Sequence, residues 1–470
     1  MPGFLGKEFY INMLKLVLSA LFGLTLAAHS VQGQQKSYTL GELWLEVEKN
    51  YPGIQAKQSA IQSAEFNQKA VKSKALPEAN IQFQNTYGTF EGNNGGFFPQ
   101  PGFFNVSGNP ALSQGSSSAA NTFGSATLEF EVFSFGRQKA ENHAAKTLTT
   151  QVYTEKEGYL IQLKKELTQR FVAVLYADSK LGWAEKNATR LKDIYQTAAG
   201  LSKSGLSPSA DSLLAHATYL QALAGRDYWQ GSTNSSIQKL EELHGIQEID
   251  FTNAVVKFLR LGPDSAAGYR QIDSAHPFIE YFTLKSDYYK LQSSVLKKNA
   301  LPSLKLLGGY AYRGTGIGAN GYVSGNWEDG FSNSTNNLLI GAGVTWNITG
   351  LRTNKLKADA MLMDSEHSIH RQKQQVQAMV KDLSAARSFL TEQRKQLKKT
   401  QQAVKQAGEA YEMYMARYRS GLISLTELLQ IQVYLQQAEA DHVDASRDYW
   451  LQVAGEAELT ADFGFLFDNL

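Results

Sequence analysis

Residues 337–348 read NLLIGAGVTWNI, and their alternation decides the class of the fold. Leu338, Ile340, Ala342, Val344, Trp346 and Ile348 fall on one side, opposite Gly341, Gly343, Thr345 and Asn347. Period-two alternation is the mark of a β-strand with unlike faces. The run is about as long as the ten tilted residues that cross a bilayer. Three further stretches alternate in the same way. In 80–87, Ile81, Phe83 and Tyr87 oppose Gln82, Gln84 and Thr86; in 125–134, Ala126, Leu128, Phe130 and Val132 oppose Ser125, Thr127, Glu129 and Glu131. In 303–312, Leu304, Leu306, Tyr310 and Tyr312 share a face. Aromatic residues gather near the strand ends, among them Tyr87, Phe133, Phe135, Tyr310, Tyr312 and Trp346, as an interfacial belt requires. The loops 90–121 and 313–336 are long, and polar or glycine-rich. Four strands cannot close a barrel, and open sheet edges do not survive in lipid. The chain is therefore expected to associate, two copies giving eight strands and three giving twelve.

Outward from the strands, the chain repeats itself. Tyr51-Pro52 is echoed by His276-Pro277, and Leu76-Pro77 by Leu301-Pro302, both 225 positions apart (51 to 276 and 76 to 301). Phe135-Gly136-Arg137 is answered by Gly350-Leu351-Arg352, and Ser204-Gly205-Leu206 by Ser420-Gly421-Leu422. Pro77 and Pro302 stop the incoming helices, since proline disfavours helical geometry in the residue before it. Residues 137–199 and 352–418 hold no proline. Each of these stretches predicts roughly 90 Å of helix at 1.5 Å per residue. Leu160, Leu163, Leu167, Phe171, Val174 and Leu175 recur at threes and fours, and Leu390, Leu397, Val404 and Tyr411 at sevens, which implies coiled-coil packing. Gly205 and Gly421 suit the left-handed residue just past a helix end. Ser207 before Pro208 reads as a helix cap, and Ser424 with Glu427 as a capping box.

The expected organisation follows. Residues 1–33 form a signal peptide, with Lys7 and Lys15 ahead of a short apolar run. Residues 34–245 form a first structural repeat, with a strand hairpin at 80–135, a long helix, the turn 204–206 and a further helix. A mixed equatorial segment covers 246–275. A second repeat, 276–460, carries the hairpin 303–348 and the turn 420–422, and 461–470 form a C-terminal tail. The fold class is mainly α with membrane β.

Composition narrows the function. The formal charge is +2, which gives no hint of nucleic-acid binding. There is no cysteine, which excludes thiol nucleophiles, disulfides and a lipidated N-terminal cysteine. No catalytic constellation is recognisable, and the chain is read as a non-enzyme without a cofactor. Gly316 to Gly321 spell a dinucleotide-like glycine pattern but lie between two strands instead of opening a helix. His367 and His370, beside Glu366, read as surface imidazoles on a long helix. Met361, Met363, Met413 and Met415 read as coiled-coil filler.

The ordered, duplicated set of landmarks resembles the TolC family of outer-membrane efflux proteins across essentially the whole mature chain. The residues that carry it are Tyr51-Pro52 and His276-Pro277, Leu76-Pro77 and Leu301-Pro302, Phe135-Gly136-Arg137, and Tyr418-Arg419-Ser420-Gly421-Leu422 followed by Leu425, Leu428 and Leu429. The resemblance implies a homotrimer with a twelve-stranded barrel in outer-membrane lipid and a helical periplasmic tunnel. It implies a passive export conduit, joined at its tip to a periplasmic adaptor (membrane fusion) protein and an inner-membrane transporter, of the resistance-nodulation-division or ATP-driven class. It also implies that the turns Ser204, Gly205, Leu206 and Ser420, Gly421, Leu422 meet the adaptor. Tyr418, Asp211 and Glu427 fall at positions of the periplasmic gate. Two positions depart from the pattern: Ile423 stands where relatives place an arginine, and Gln430 where they often place an acid. The competing reading is a periplasmic coiled-coil scaffold without a pore. A secreted hydrolase would need an acid, base or metal constellation that is not recognisable in the sequence.

Overall fold

A computed structural model of the chain describes residues 36–89, 114–260 and 271–470. The expected signal peptide, most of the loop 90–121 and part of the segment 246–275 lie outside the described residues.

The strands are β1 (Lys36–Ser37), β2 (Glu78–Thr89), β3 (Gln114–Gly115), β4 (Ser118–Phe133), β5 (Ile249–Asp250), β6 (Ser303–Thr315), β7 (Tyr322–Val323) and β8 (Thr335–Thr345). The helices are α1 (Leu40–Asn50), α2 (Pro52–Ser73), α3 (Arg137–Lys203), α4 (Ser209–His244), α5 (Thr252–Leu259), α6 (Pro277–Asn299), α7 (Gly350–Arg419), α8 (Leu425–Thr460) and α9 (Gly464–Asn469). A 3-10 turn occupies Glu328–Phe331.

The four long strands form one antiparallel sheet in the order β2-β4-β6-β8, so among the described residues β2 and β8 each keep one edge bare. The register assembles the expected faces. Ile81 lies opposite Ala126, Ala126 opposite Tyr310, and Tyr310 opposite Leu338. This apolar face is open: Ile81, Phe83, Leu338, Ile340 and Val344 all rank as exposed. The other face carries Gln82, Thr127, Glu129, Glu131 and Lys305, and Lys305 pairs with Glu129.

The structure corrects the strand reading in four places. A bulge at Val132 breaks the alternation, so that Phe133, not Val132, faces Leu304. An extra residue in one strand shifts every following side chain to the opposite face. Leu307 and Leu339 fall on the otherwise polar face, opposite Gly341 and Gly309. β8 stops at Thr345, because the Asn347 side chain turns the chain by accepting the Gly350 N–H at 3.0 Å. Both hairpin loops are shorter than expected. β4 begins at Ser118, and β6 runs on to Thr315 before a folded segment with β7 and the 3-10 turn.

The long helices exceed expectation. α3 has 67 residues and α7 has 70, each about 100 Å at 1.5 Å per residue. Leu163, Leu167, Phe171, Val174 and Leu175 are buried; on α7, Leu390, Leu397 and Tyr411 are buried and Val404 half-buried. Met415 is buried and Met361 half-buried, as filler should be, while Met363 and Met413 are exposed on faces of α7 that this chain leaves uncovered.

The principal core sits midway along the helices. Leu40, Leu43 and Val47 of α1, Phe258 of α5 and Leu466 of α9 wrap the middle of α3 and the C-terminal half of α8, and Trp450 Nε1 donates to the Phe258 carbonyl at 3.0 Å. The chain end is part of this girdle, with Leu470 buried.

Candidate gate at the helical turns

Both long helices end the same way. Gly205 has φ +74° and Gly421 has φ +72°. Leu206 N–H donates to the Leu201 carbonyl at 2.9 Å and Gly205 N–H to Ser202 at 3.0 Å. At the other turn, Leu422 N–H reaches Arg417 at 3.0 Å and Gly421 N–H reaches Tyr418 at 2.9 Å. These paired bonds define the Schellman ending, whose positive φ favours glycine. The turns project Leu206 and Leu422 outward, 76% and 73% exposed.

The helices that follow start differently from one another. α8 starts with the expected capping box: Ser424 Oγ accepts the Glu427 N–H at 3.3 Å, and Glu427 Oε2 accepts the Ser424 N–H at 2.7 Å. α4 does not use Ser207. Pro208 is the residue before the first turn, without a side-chain cap, and the Ser207 hydroxyl is buried without a partner. Proline holds the extended entry angle there by its fixed φ, so a side-chain acceptor is not required.

One apolar cluster joins the two turns. Ile194 and Ala198 of α3, Ala215 of α4, Met415 and Tyr418 of α7, and Leu425 and Leu428 of α8 are buried together. Tyr418 is 3% exposed, and its hydroxyl has no hydrogen-bond partner among the described residues. Burial, reinforced by the charge of Asp211, pushes its pKa up. The charge of Asp211 on α4 thus reaches Tyr418 on α7, across the two hairpins. Asp211 lies in the first turn of α4, where the helix dipole favours an acid. Glu427 stands apart from this pair, exposed and turned back on Ser424, whose backbone N–H holds the carboxyl below the usual range. Ile423 packs against the cluster as a half-buried apolar residue, and Gln430 is exposed.

Above the tip, two cross-helix ties were not legible in the sequence. Arg190 of α3 binds both carboxylate oxygens of Glu439 on α8, with its guanidinium 5.9 Å from the Tyr411 ring centre. Lys180, also on α3, places Nζ 3.0 Å from Asp444 and is walled by Tyr176, Trp183 and Trp229. The Tyr176 hydroxyl donates to the same Asp444 at 2.8 Å, and burial is the chief reason its pKa rises to about 12. In each tie the partners lie some 250 positions or more apart, and neither follows a local motif.

The other expected features are plainly placed. The glycine pattern at 316–321 makes a tight turn, with Gly321 N–H on the Gly318 carbonyl at 2.9 Å. His367 and His370 are exposed on α7.

Comparison with known proteins agrees with this geometry. Residues 287–455 match the family model described as outer membrane efflux protein, which bears out the resemblance read from the sequence. No curated protein is a significant match to the chain. Among solved structures, the chain is similar to the outer membrane protein VceC of Vibrio cholerae, at 12% identity and a TM-score of 0.71, over 90% of this chain and 96% of that one. It is similar to the CmeC outer membrane channel of Campylobacter jejuni, at 13% identity and TM-score 0.70, over 92% and 90%. It is also similar to the open-state MtrE outer membrane channel of Neisseria gonorrhoeae, at 14% and 0.67, over 90% and 89%. Identities this low establish a shared fold.

Proposed function

We propose that this chain is one third of a homotrimeric exit duct. It would sit in the outer membrane and extend into the periplasm, passively passing substrates from an inner-membrane pump to the cell exterior. The observation that carries the reading is the sheet. It has four strands, two bare edges and one open apolar face, and it continues directly into helices of about 100 Å. In lipid such a sheet is stable when closed edge to edge with its copies. Three copies give twelve strands, with the face of Glu129, Glu131 and Lys305 turned to the lumen. Among the described residues no helix is long and apolar enough to cross a membrane, so the strands are the candidate span.

Within this reading, the matching order of elements in 34–245 and 276–460 reflects an internal duplication. The Schellman turns are the docking points for a periplasmic adaptor, and the pump is of the resistance-nodulation-division or ATP-driven class. Tyr418 and Asp211 help hold the entrance shut, while three Glu427 carboxylates line the approach. With Ile423 in place of an arginine, this lock relies on packing more than on charge. A periplasmic coiled-coil scaffold would account for α3 and α7 but would leave the open apolar sheet face unexplained.

The test is the native mass of the protein extracted in detergent from outer-membrane fractions, measured by light scattering. A three-chain particle supports the duct. A monomer that stays soluble without detergent overturns it.

A further inference from the structure

The hairpin between β6 and β8 does not simply project beyond the sheet. Residues 325–331 turn back and lie on its apolar face. Tyr87, Ala120, Tyr312 and Gly314 all belong to that face by register, and each is touched. The Tyr87 hydroxyl donates to the Gly325 carbonyl at 2.9 Å, and its ring stacks on Trp327 at 5.7 Å. The Tyr312 hydroxyl donates to the Phe331 carbonyl at 3.0 Å. Gly330 lies so close that a Cβ there would stand 2.8 Å from the Ala120 Cβ, and a Cβ on Gly314 would stand 2.6 Å from the Gly330 carbonyl oxygen. Three small residues therefore let the flap lie flat across β2, β4 and β6.

We propose that this flap is a membrane-interface anchor, setting Trp327 and Phe331 in the lipid headgroup layer at the loop end of the sheet. The inference rests on the reading of the apolar face as lipid-facing. Trp327 and Phe331 are 54% and 49% exposed, and the flap continues the open apolar belt of Leu338, Ile340 and Phe83. Its own chemistry is mixed, with Asn326 and Glu328 exposed beside the two rings. Irregular backbone and acids do not belong in hydrocarbon, whereas amphipathic aromatics favour the interface. The flap thus marks the upper limit of the hydrocarbon belt. Asp329 holds its shape by accepting from Ser324 Oγ and, at 3.3 Å, from Asn326 Nδ2.

The natural absence of cysteine makes the test clean. Phe331→Cys, Ile340→Cys and Leu422→Cys, each in the full chain, are labelled with a nitroxide and reconstituted in phosphatidylcholine–phosphatidylglycerol vesicles. Collision with oxygen and with a water-soluble nickel chelate is then read by spin resonance. The expected result is that the label at 340 meets oxygen and excludes nickel, that at 422 does the reverse, and that at 331 falls between, several-fold from either. Gly330→Val, which lifts the flap, should move the 331 label toward the aqueous value and leave 340 unchanged. A fully aqueous 331 label in the unlifted chain overturns the anchor, as does one shielded from both collision partners by a second copy. Failure of Ile340 to meet lipid would overturn the membrane reading itself, a separate outcome.

Discussion

Arg190 of α3 grips both carboxylate oxygens of Glu439 on α8, with each side chain 17% exposed. A pair this enclosed is costly to halve. Glu439→Ala should destabilise the helical body by about 2 kcal/mol, since it strands a largely buried guanidinium. Arg190→Met combined with Glu439→Leu should recover much of that loss. Denaturant melting followed by circular dichroism reads both, and equal loss in the single and double variants would show that the stranded guanidinium is not the source of the cost.

A turn glycine and a helix glycine predict opposite signs for one kind of substitution. Gly421→Ala places a Cβ at φ +72° and should cost about 1 kcal/mol, although nothing crowds the site. Gly408→Ala, within α7 and equally uncrowded, should stabilise by about 0.5–1 kcal/mol. The same melting experiment compares them, and matching signs would contradict the turn assignment.

Tyr418 separates packing from hydrogen bonding at the proposed gate. Its hydroxyl is buried without a partner, so Tyr418→Phe should leave stability within roughly 1 kcal/mol of the parent. Tyr418→Ala removes a buried ring and should cost about 3–5 kcal/mol. If the ring helps hold the entrance shut, the Ala variant should also raise the resting conductance of planar bilayers, with Phe near the parent value. A Phe variant as leaky as Ala would assign the lock to the hydroxyl instead.

Glu427 serves a cap that the proposal also places at the pore. The Ser424 N–H depresses its pKa, so the stabilisation is present above the ordinary carboxylate pKa and is lost as pH falls through the lower folded value. Glu427→Gln should keep much of the cap while removing charge, and so weaken cation preference in the reversal potential. An unchanged reversal potential would leave Glu427 as a cap alone.

Burial holds the imidazoles of His244, His276 and His442 below the usual histidine range. The unfolded chain takes up these protons first, near pH 6.5. Stability is therefore full above that pH and is lost as pH falls below it, down to the folded values. His276 Nδ1 accepts the Phe278 N–H at 3.2 Å, and Nε2 faces the Glu458 carbonyl at 3.1 Å, which fixes one neutral tautomer. His276→Asn keeps a capping acceptor without the proton uptake. Its melting temperature should fall less between pH 7.5 and about pH 5.5 than the parent's does. A parent melting temperature that rises on acidification would refute the sign.

What could be read in advance was local. Leu338 to Val344 announce their faces by alternation, Gly205 and Gly421 their turns, and Ser424 with Glu427 their cap, because each signal lies within a few residues of its effect. The bulge at Val132 leaves no trace in residue types, and the strand reading failed from that point on. Ser207 looked like a cap, but Pro208 sets the entry by its own ring. The girdle of α1, α5 and α9 and the ties Arg190–Glu439 and Lys180–Asp444 depend on partners distant in the chain. The proposed gate is legible as far as Tyr418 and Asp211 by position, while their proximity is a product of the two hairpins packing together.

The bare edges of β2 and β8 bear on biogenesis. A solitary chain exposes two rows of unspent backbone donors and acceptors beside a greasy surface, a combination that suits neither water nor lipid. On the proposed reading of the chain as an outer-membrane duct, insertion and association are then a single event. The rate at which new ducts appear should climb more steeply than linearly with the supply of chains, and scarcity should yield aggregates or degraded polypeptide in place of half-built pores.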